Sequence, residues 1–190
     1  MQTNVTLCIK DALTTIPYPA AEREDASHQG FVLLKGRPEE AESIPAAQES
    51  EAVKLALVRI NGSSTPFFSV GCRKVLNGQN GSFWSRGYIE FALNYEEVVR
   101  DSPNYFLLFE QFANHVNTAQ FDLPVDFSFE LHPAEFTASG IKGHTTCVWI
   151  TTAEFPAEEG ADKAWNQSIN FLSEFLGSFE KLDLPEIYQG

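Results

Sequence analysis

Val125-Asp126-Phe127-Ser128-Phe129-Glu130-Leu131-His132 alternates apolar and polar side chains without a break. Successive strand residues point to opposite faces of a sheet, so a period of two predicts a strand with one buried face and one wet face. Downstream, Gly140-Ile141-Lys142-Gly143 reads as a turn, and Thr145 to Ala153 as the antiparallel neighbour that the turn delivers. On either side of this pair the period changes. Tyr105, Leu108, Phe109, Phe112 and Val116 recur at helical spacing after Ser102-Pro103, where Ser is the expected N-cap and Pro the first helical residue. Trp165, Ile169, Leu172, Phe175, Leu176 and Phe179 make a second helical stripe over about residues 161–179.

Strands also dominate the first half. Val5, Leu7 and Ile9 alternate with Thr6 and Cys8. The ladder is expected to stop at Ile16-Pro17-Tyr18-Pro19, since proline has no N–H to donate. Residues 20–29 read as a loop and Phe31–Lys35 as a short strand. Gly36–Ser50, with four Glu and two Pro, reads as an acidic, mobile loop with room for a helical turn. Glu51–Ile60 fits both periods, but Asn61-Gly62 after it favours a strand entering a hairpin. Phe67–Leu76 and Phe83–Leu93 are strands joined through Asn77-Gly78-Gln79-Asn80-Gly81, whose Asn-Gly pairs tolerate positive φ. The tail keeps Leu182, Leu184, Ile187 and Tyr188, enough to pack back on the domain. The expected fold is a single α+β domain over residues 1–190, a mainly antiparallel sheet with two amphipathic helices on one face.

Composition narrows the function classes. The chain has 190 residues, 43% hydrophobic and 21% charged, within the range of globular domains. Sixteen Phe residues predict a Phe-rich core. No apolar run approaches the roughly 20 residues of a membrane helix, and the first ten residues lack the basic and apolar regions of a signal peptide. Cys8, Cys72 and Cys147 are odd in number and far apart, which fits a reduced, cytoplasmic setting and no disulfide framework. The formal net charge is −13, yet residues 51–100 carry six basic and four acidic groups. Such a chain is expected to repel nucleic acid and anionic membranes everywhere except across its middle.

No phosphate-binding glycine loop, nucleophile elbow or zinc-protease motif occurs. No histidine–cysteine cluster has the spacing of a zinc site, so no metal or cofactor is expected. His144 and Cys147 are three apart, which on a strand sends them to opposite faces. Cys147 in Thr-Thr-Cys-Val-Trp-Ile reads as a small buried strand residue before it reads as a nucleophile. Glu130, His132 and His144 form the one candidate acid–base group, against the plainer reading of a solvated sheet face.

The alternation in Phe83–Leu93 gives the sharper candidate. Trp84, Arg86, Tyr88 and Glu90 share the face opposite Phe83, Ile89, Phe91 and Leu93. Arg73, with Lys74 and Arg59 nearby, adds further cations. Aromatic rings beside guanidinium groups are the composition of protein-interface hot spots and of single-strand nucleic-acid binders. Arg73, Trp84, Arg86 and Tyr88 are therefore the expected binding residues. The chain reads as a non-enzymatic interaction domain of the inhibitor, immunity or chaperone-like kind, with a protein partner met either through its acidic surface or through this aromatic and basic strand face. Single-stranded nucleic acid is the alternative and a small-molecule enzyme the third.

Overall fold

A computed structural model describes residues 3–18 and 30–188. The loop expected over residues 20–29, with His28, lies outside them. The fold is α+β. Strand β5 (Val125–Phe136) and strand β6 (Ile141–Thr152) form the expected antiparallel pair, with Phe129 opposite Val148 and Leu131 opposite Thr146. Strand β4 (Ser82–Leu93) joins β6, and β3 (Phe67–Gln79) joins β4, both antiparallel. The β3–β4 hairpin turns through Asn80 and Gly81, both at positive φ, as two-residue hairpin loops require.

Two short strands lie on the far side of β5. β1 (Asn4–Ile9) runs beside Asp126–Leu131 and β2 (Thr14–Ile16) beside Ala134–Phe136, both parallel to β5. The sheet order is β1-β5-β6-β4-β3, with β2 continuing the β1 edge. The ladder ends at Pro17, as its missing N–H dictates. The sheet is thus mostly antiparallel, with one parallel edge.

Helices cover one face. Helix α4 (Ser102–Thr118) and helix α5 (Glu158–Gly177) present the expected stripes: Tyr105, Leu108, Phe112 and Val116 are buried on one, and Trp165, Ile169, Leu172 and Leu176 on the other. The N-cap of α4 is Asp101, one residue before the expected Ser102. A third helix joins them. Glu51–Ile60, read as a strand, is helix α2, and its Ala52, Val53, Ala56, Leu57 and Ile60 are buried. The strand reading required Val53, Leu55 and Leu57 on one face, but Leu55 is 40% exposed while the others are buried. Ser50 caps α2 by accepting from the Val53 N–H at 3.4 Å, and Asn61 ends it by donating to the Leu57 carbonyl at 2.7 Å. Asn61-Gly62 therefore closes a helix instead of opening a hairpin.

Two other local expectations change. Phe31–Lys35 is not a strand. The Lys35 ammonium, buried at 3% exposure, donates to the Gly62 and Thr65 carbonyls at 2.8 and 2.6 Å, drawing the chain across the end of α2. The acidic stretch 36–50 contains a 3-10 helix at Pro38–Ser43 and helix α1 at Pro45–Glu49. Each begins with a proline, which suits a helix start because its missing N–H would be unpaired there. No helix among the described residues is long and apolar enough to cross a membrane.

The core between sheet and helices is built on rings. Phe112 of α4 lies 5.0 to 5.3 Å from Phe127, Phe129 and Phe175, mostly edge to face. Trp165 of α5 is fully buried and donates its indole N–H to the Ile150 carbonyl at 3.2 Å. It sits directly over Gly87 of β4, where an added Cβ would come within 2.7 Å of the indole and collide with the Arg73 carbonyl. Glycine is what lets the helix approach the sheet at this point.

A smaller core closes one end of the opposite face. Phe68, Val70, Ala92, Ala134, Phe136 and Ile141 meet Ile16 and Val99 of the short helix α3 (Glu96–Val99) there, with Phe31, Ile187 and Tyr188 packed against them. The tail is pinned by Asn94, which donates to the Tyr188 carbonyl at 2.7 Å and accepts from its N–H at 2.9 Å.

Phe112→Ala removes a fully buried ring and is expected to cost about 3–5 kcal/mol of stability by urea denaturation. Gly87→Ala forces backbone and indole apart and is expected to cost about 1–3 kcal/mol, despite adding only one methyl group.

Candidate interaction face of the sheet

The helices leave the other sheet face to be made of the alternate residues. Register aligns them in rows. Gly71, Glu90, Cys147, Glu130 and Cys8 run across the sheet from β3 to β1. The next row is Arg73, Tyr88, Trp149, Ser128 and Thr6. The third is Val75, Arg86, Thr151, Asp126 and Asn4. Trp84, opposite Asn77, follows at the hairpin end. All four expected binding residues, Arg73, Trp84, Arg86 and Tyr88, therefore stand on one face and on two neighbouring strands. Arg73 and Arg86 are exposed, and Trp84 and Tyr88 are half-buried.

Their neighbours fix them. Tyr88 pairs directly with Trp149 across β4 and β6, ring centroids 4.8 Å apart. The Arg86 guanidinium lies over the Trp149 ring, 4.7 Å from its centroid. Such a cation–π contact holds a guanidinium in place while leaving its N–H groups available. Trp149 is held in turn by its indole N–H, which donates to Glu130 at 3.1 Å. Trp149 is a residue the sequence reading did not assign to this face. The alternation of β6 with Cys147 could have placed it there.

Neither Arg73 nor Arg86 has a carboxylate partner among the described residues, whereas Arg37, Arg59 and Arg100 pair with Glu40, Glu174 and Glu96. The two other cations expected nearby lie elsewhere. Lys74, one strand position from Arg73, points to the helix side, bonds Asp162 and Asn166 of α5 and lies over Trp165. Arg59 belongs to α2 and bridges to Glu174 at 3.2 Å.

Two carboxylates on this face sit in contrasting environments. Glu130 is gripped by Lys10 at 2.9 Å and by Trp149, with His132 Nε2 at 3.6 Å. Burial pushes its carboxyl up, but the hydrogen bonds from Lys10 and Trp149 outweigh this and hold it below the ordinary value. Glu90 has no cation in contact among the described residues. Burial raises its carboxyl, and the hydrogen bond it accepts from Thr145 Oγ1 at 2.7 Å opposes the rise only in part. The expected trio of Glu130, His132 and His144 does not assemble. His132 is paired with Thr145 on the open face, while His144 pairs with Pro133 and its ring packs near Tyr105 of α4 on the helix side. An odd number of strand positions separates the two sets, so they cannot meet. Cys147 is buried at 6% exposure and burial raises its thiol, which leaves it protonated and poorly nucleophilic. Among the described residues no group of three or more His, Cys, Asp and Glu is placed to hold a metal.

No protein-family model, curated protein or solved structure matches this chain.

A carboxyl with a raised folded value binds its proton more tightly in the folded state. Its contribution to stability is therefore lost as pH rises from the ordinary carboxylate value through the folded one. Glu90→Gln removes that loss and keeps an oxygen for Thr145. The variant is expected to melt higher than the parent near pH 7, with the difference shrinking towards about pH 4, where the carboxyl is protonated anyway. Thermal melts across this interval check it.

Proposed function

We propose that the chain is a non-enzymatic interaction domain that recognises an acidic protein partner through Arg73, Trp84, Arg86 and Tyr88. The observation that carries this reading is the pair of arginines. In a chain with 26 acidic residues, both stand on one face without a carboxylate partner among the described residues. Arg73 faces Tyr88 and Arg86 faces Val75 across the same two strands, which makes the guanidinium-bearing residues diagonal neighbours. Diagonal residues lie about 7–8 Å apart, close enough for one partner segment to bridge both. The rings of Trp84, Tyr88 and Trp149 supply rigid apolar area beside them, the combination that dominates interface energetics.

The same chemistry would suit the bases and phosphates of a single strand. The surroundings oppose that reading, since a long polyanion would have to lie against a surface of net charge −13. A short acidic segment meets the two arginines without crossing the rest. The catalytic reading is weaker still, because Glu130 is engaged by Lys10, Trp149 and His132 and His144 is on the far side of the sheet. The reading places the protein in the cytoplasm, supported by three free cysteines.

Capture of partners from source lysate, run in parallel with the parent chain, Arg86→Ala and Trp84→Ala, tests the proposal. One protein recovered by the parent and reduced about tenfold in both variants, with unchanged circular dichroism, is expected. Equal recovery in all three moves the interface elsewhere. Nucleic acid recovered in place of protein, lost in the variants and abolished by salt, replaces the proposal with the single-strand reading.

A further inference from the structure

Strand β3 ends the sheet. One of its edges pairs with β4, and the other carries no strand among the described residues. A cleft of about 300 Å³ follows that free edge; residues 69–75 line it in an unbroken run, the last five of them, 71–75, beyond the irregularity between Ser69 and Gly71. Five strand residues span about 17 Å, so the cleft has the length of a short extended peptide. Its two walls differ. On the helix side Ile44, Pro45, Ala46 and Leu57 make a mostly apolar wall that also carries Glu49, and Tyr88 and Arg73 stand on the open-face side.

We infer that an extended peptide segment with alternating apolar and acidic side chains adds to the free edge of β3 as a further strand. Alternation follows from the geometry. A strand laid beside β3 sends successive side chains to opposite sheet faces, one set to the apolar wall and the other beside Arg73. Arg73 has no carboxylate partner among the described residues, so an acidic side chain there meets an available guanidinium. The usual guard against such pairing is a lysine on the edge. Here Lys74 is drawn inward to Asp162 and Asn166 and does not guard it. The Tyr18 hydroxyl donates to the Val70 carbonyl at 2.8 Å, so that carbonyl is already engaged and the added strand pairs from Gly71 onward. This inference rests on the reading of Arg73 as a recognition residue and adds the backbone of β3 to it.

The test uses the full chain and a synthetic peptide of alternating Val and Glu, with two controls. One control replaces Glu by Lys, and the other is N-methylated at every second backbone nitrogen, which removes the donors a new strand needs. The Val/Glu peptide is expected to bind and to slow amide exchange in residues 71–75. Both controls and the Arg73→Ala variant are expected to bind about tenfold more weakly. Binding that ignores N-methylation but falls in Trp84→Ala and Arg86→Ala overturns strand addition and leaves the open-face reading standing. Equal binding of the Val/Lys peptide overturns the acidic alternation. No detectable binding of the Val/Glu peptide overturns the inference as a whole.

Discussion

Only one face of this sheet is apolar along its whole length, and the rest of the molecule follows from that asymmetry. Phe127, Phe129, Val148, Ile150, Ile89 and Phe91 come from three adjacent strands and form one buried surface. Removing such a surface from water is the dominant favourable term in folding, at roughly 25 cal/mol per Å². Helices α2, α4 and α5 meet that need. Trp165 over Gly87 sets how closely α5 approaches, and Phe112 fills the space between α4 and the strands. Because side chains alternate, every residue committed to this core commits its neighbour to the other face. The open face is therefore a consequence of the core, and its position does not depend on any binding residue.

What stands on that face is divided by a second constraint. At one end the parallel strand β2 and the pinned tail bring Ile16, Ile187 and Tyr188 over Phe68 and Phe136. Among the described residues that cover does not extend to Trp149 or Arg86 at the other end. Their order comes from contacts within the face: Glu130 holds Trp149, Trp149 holds Arg86, and Tyr88 packs against Trp149. A guanidinium restrained by a ring loses less conformational freedom when it meets an anion than one free in solvent. The restraint thus connects packing to recognition.

Much of this was legible in the sequence, and the parts that were not have identifiable causes. Strict alternation in Phe83–Leu93 and Val125–His132 placed Trp84, Arg86, Tyr88, Glu130 and His132 on the correct face. The same rule, applied to Arg73 and Lys74 as neighbours, separates them, and grouping the two ignored it. Glu51–Ile60 satisfies both periods over ten residues, so tertiary burial of Leu57 and exposure of Leu55 decided its conformation. His144 was misplaced because cross-strand register depends on where the turn falls. Gly140, at positive φ, fixes that turn. The parallel edge formed by β1 and β2 and the small second core join residues more than a hundred positions apart, beyond the reach of local pattern.

The central claim is that a face of this acidic protein attracts anions. Paramagnetic relaxation of the Arg73 and Arg86 side-chain N–H signals and the Trp84 indole, compared between a neutral and an anionic soluble probe, tests it without a partner. The account predicts that these signals relax more strongly with the anionic probe, while signals elsewhere on the surface relax less and the Trp165 indole responds to neither. An anionic probe repelled from this face as it is from the rest of the surface would contradict the account.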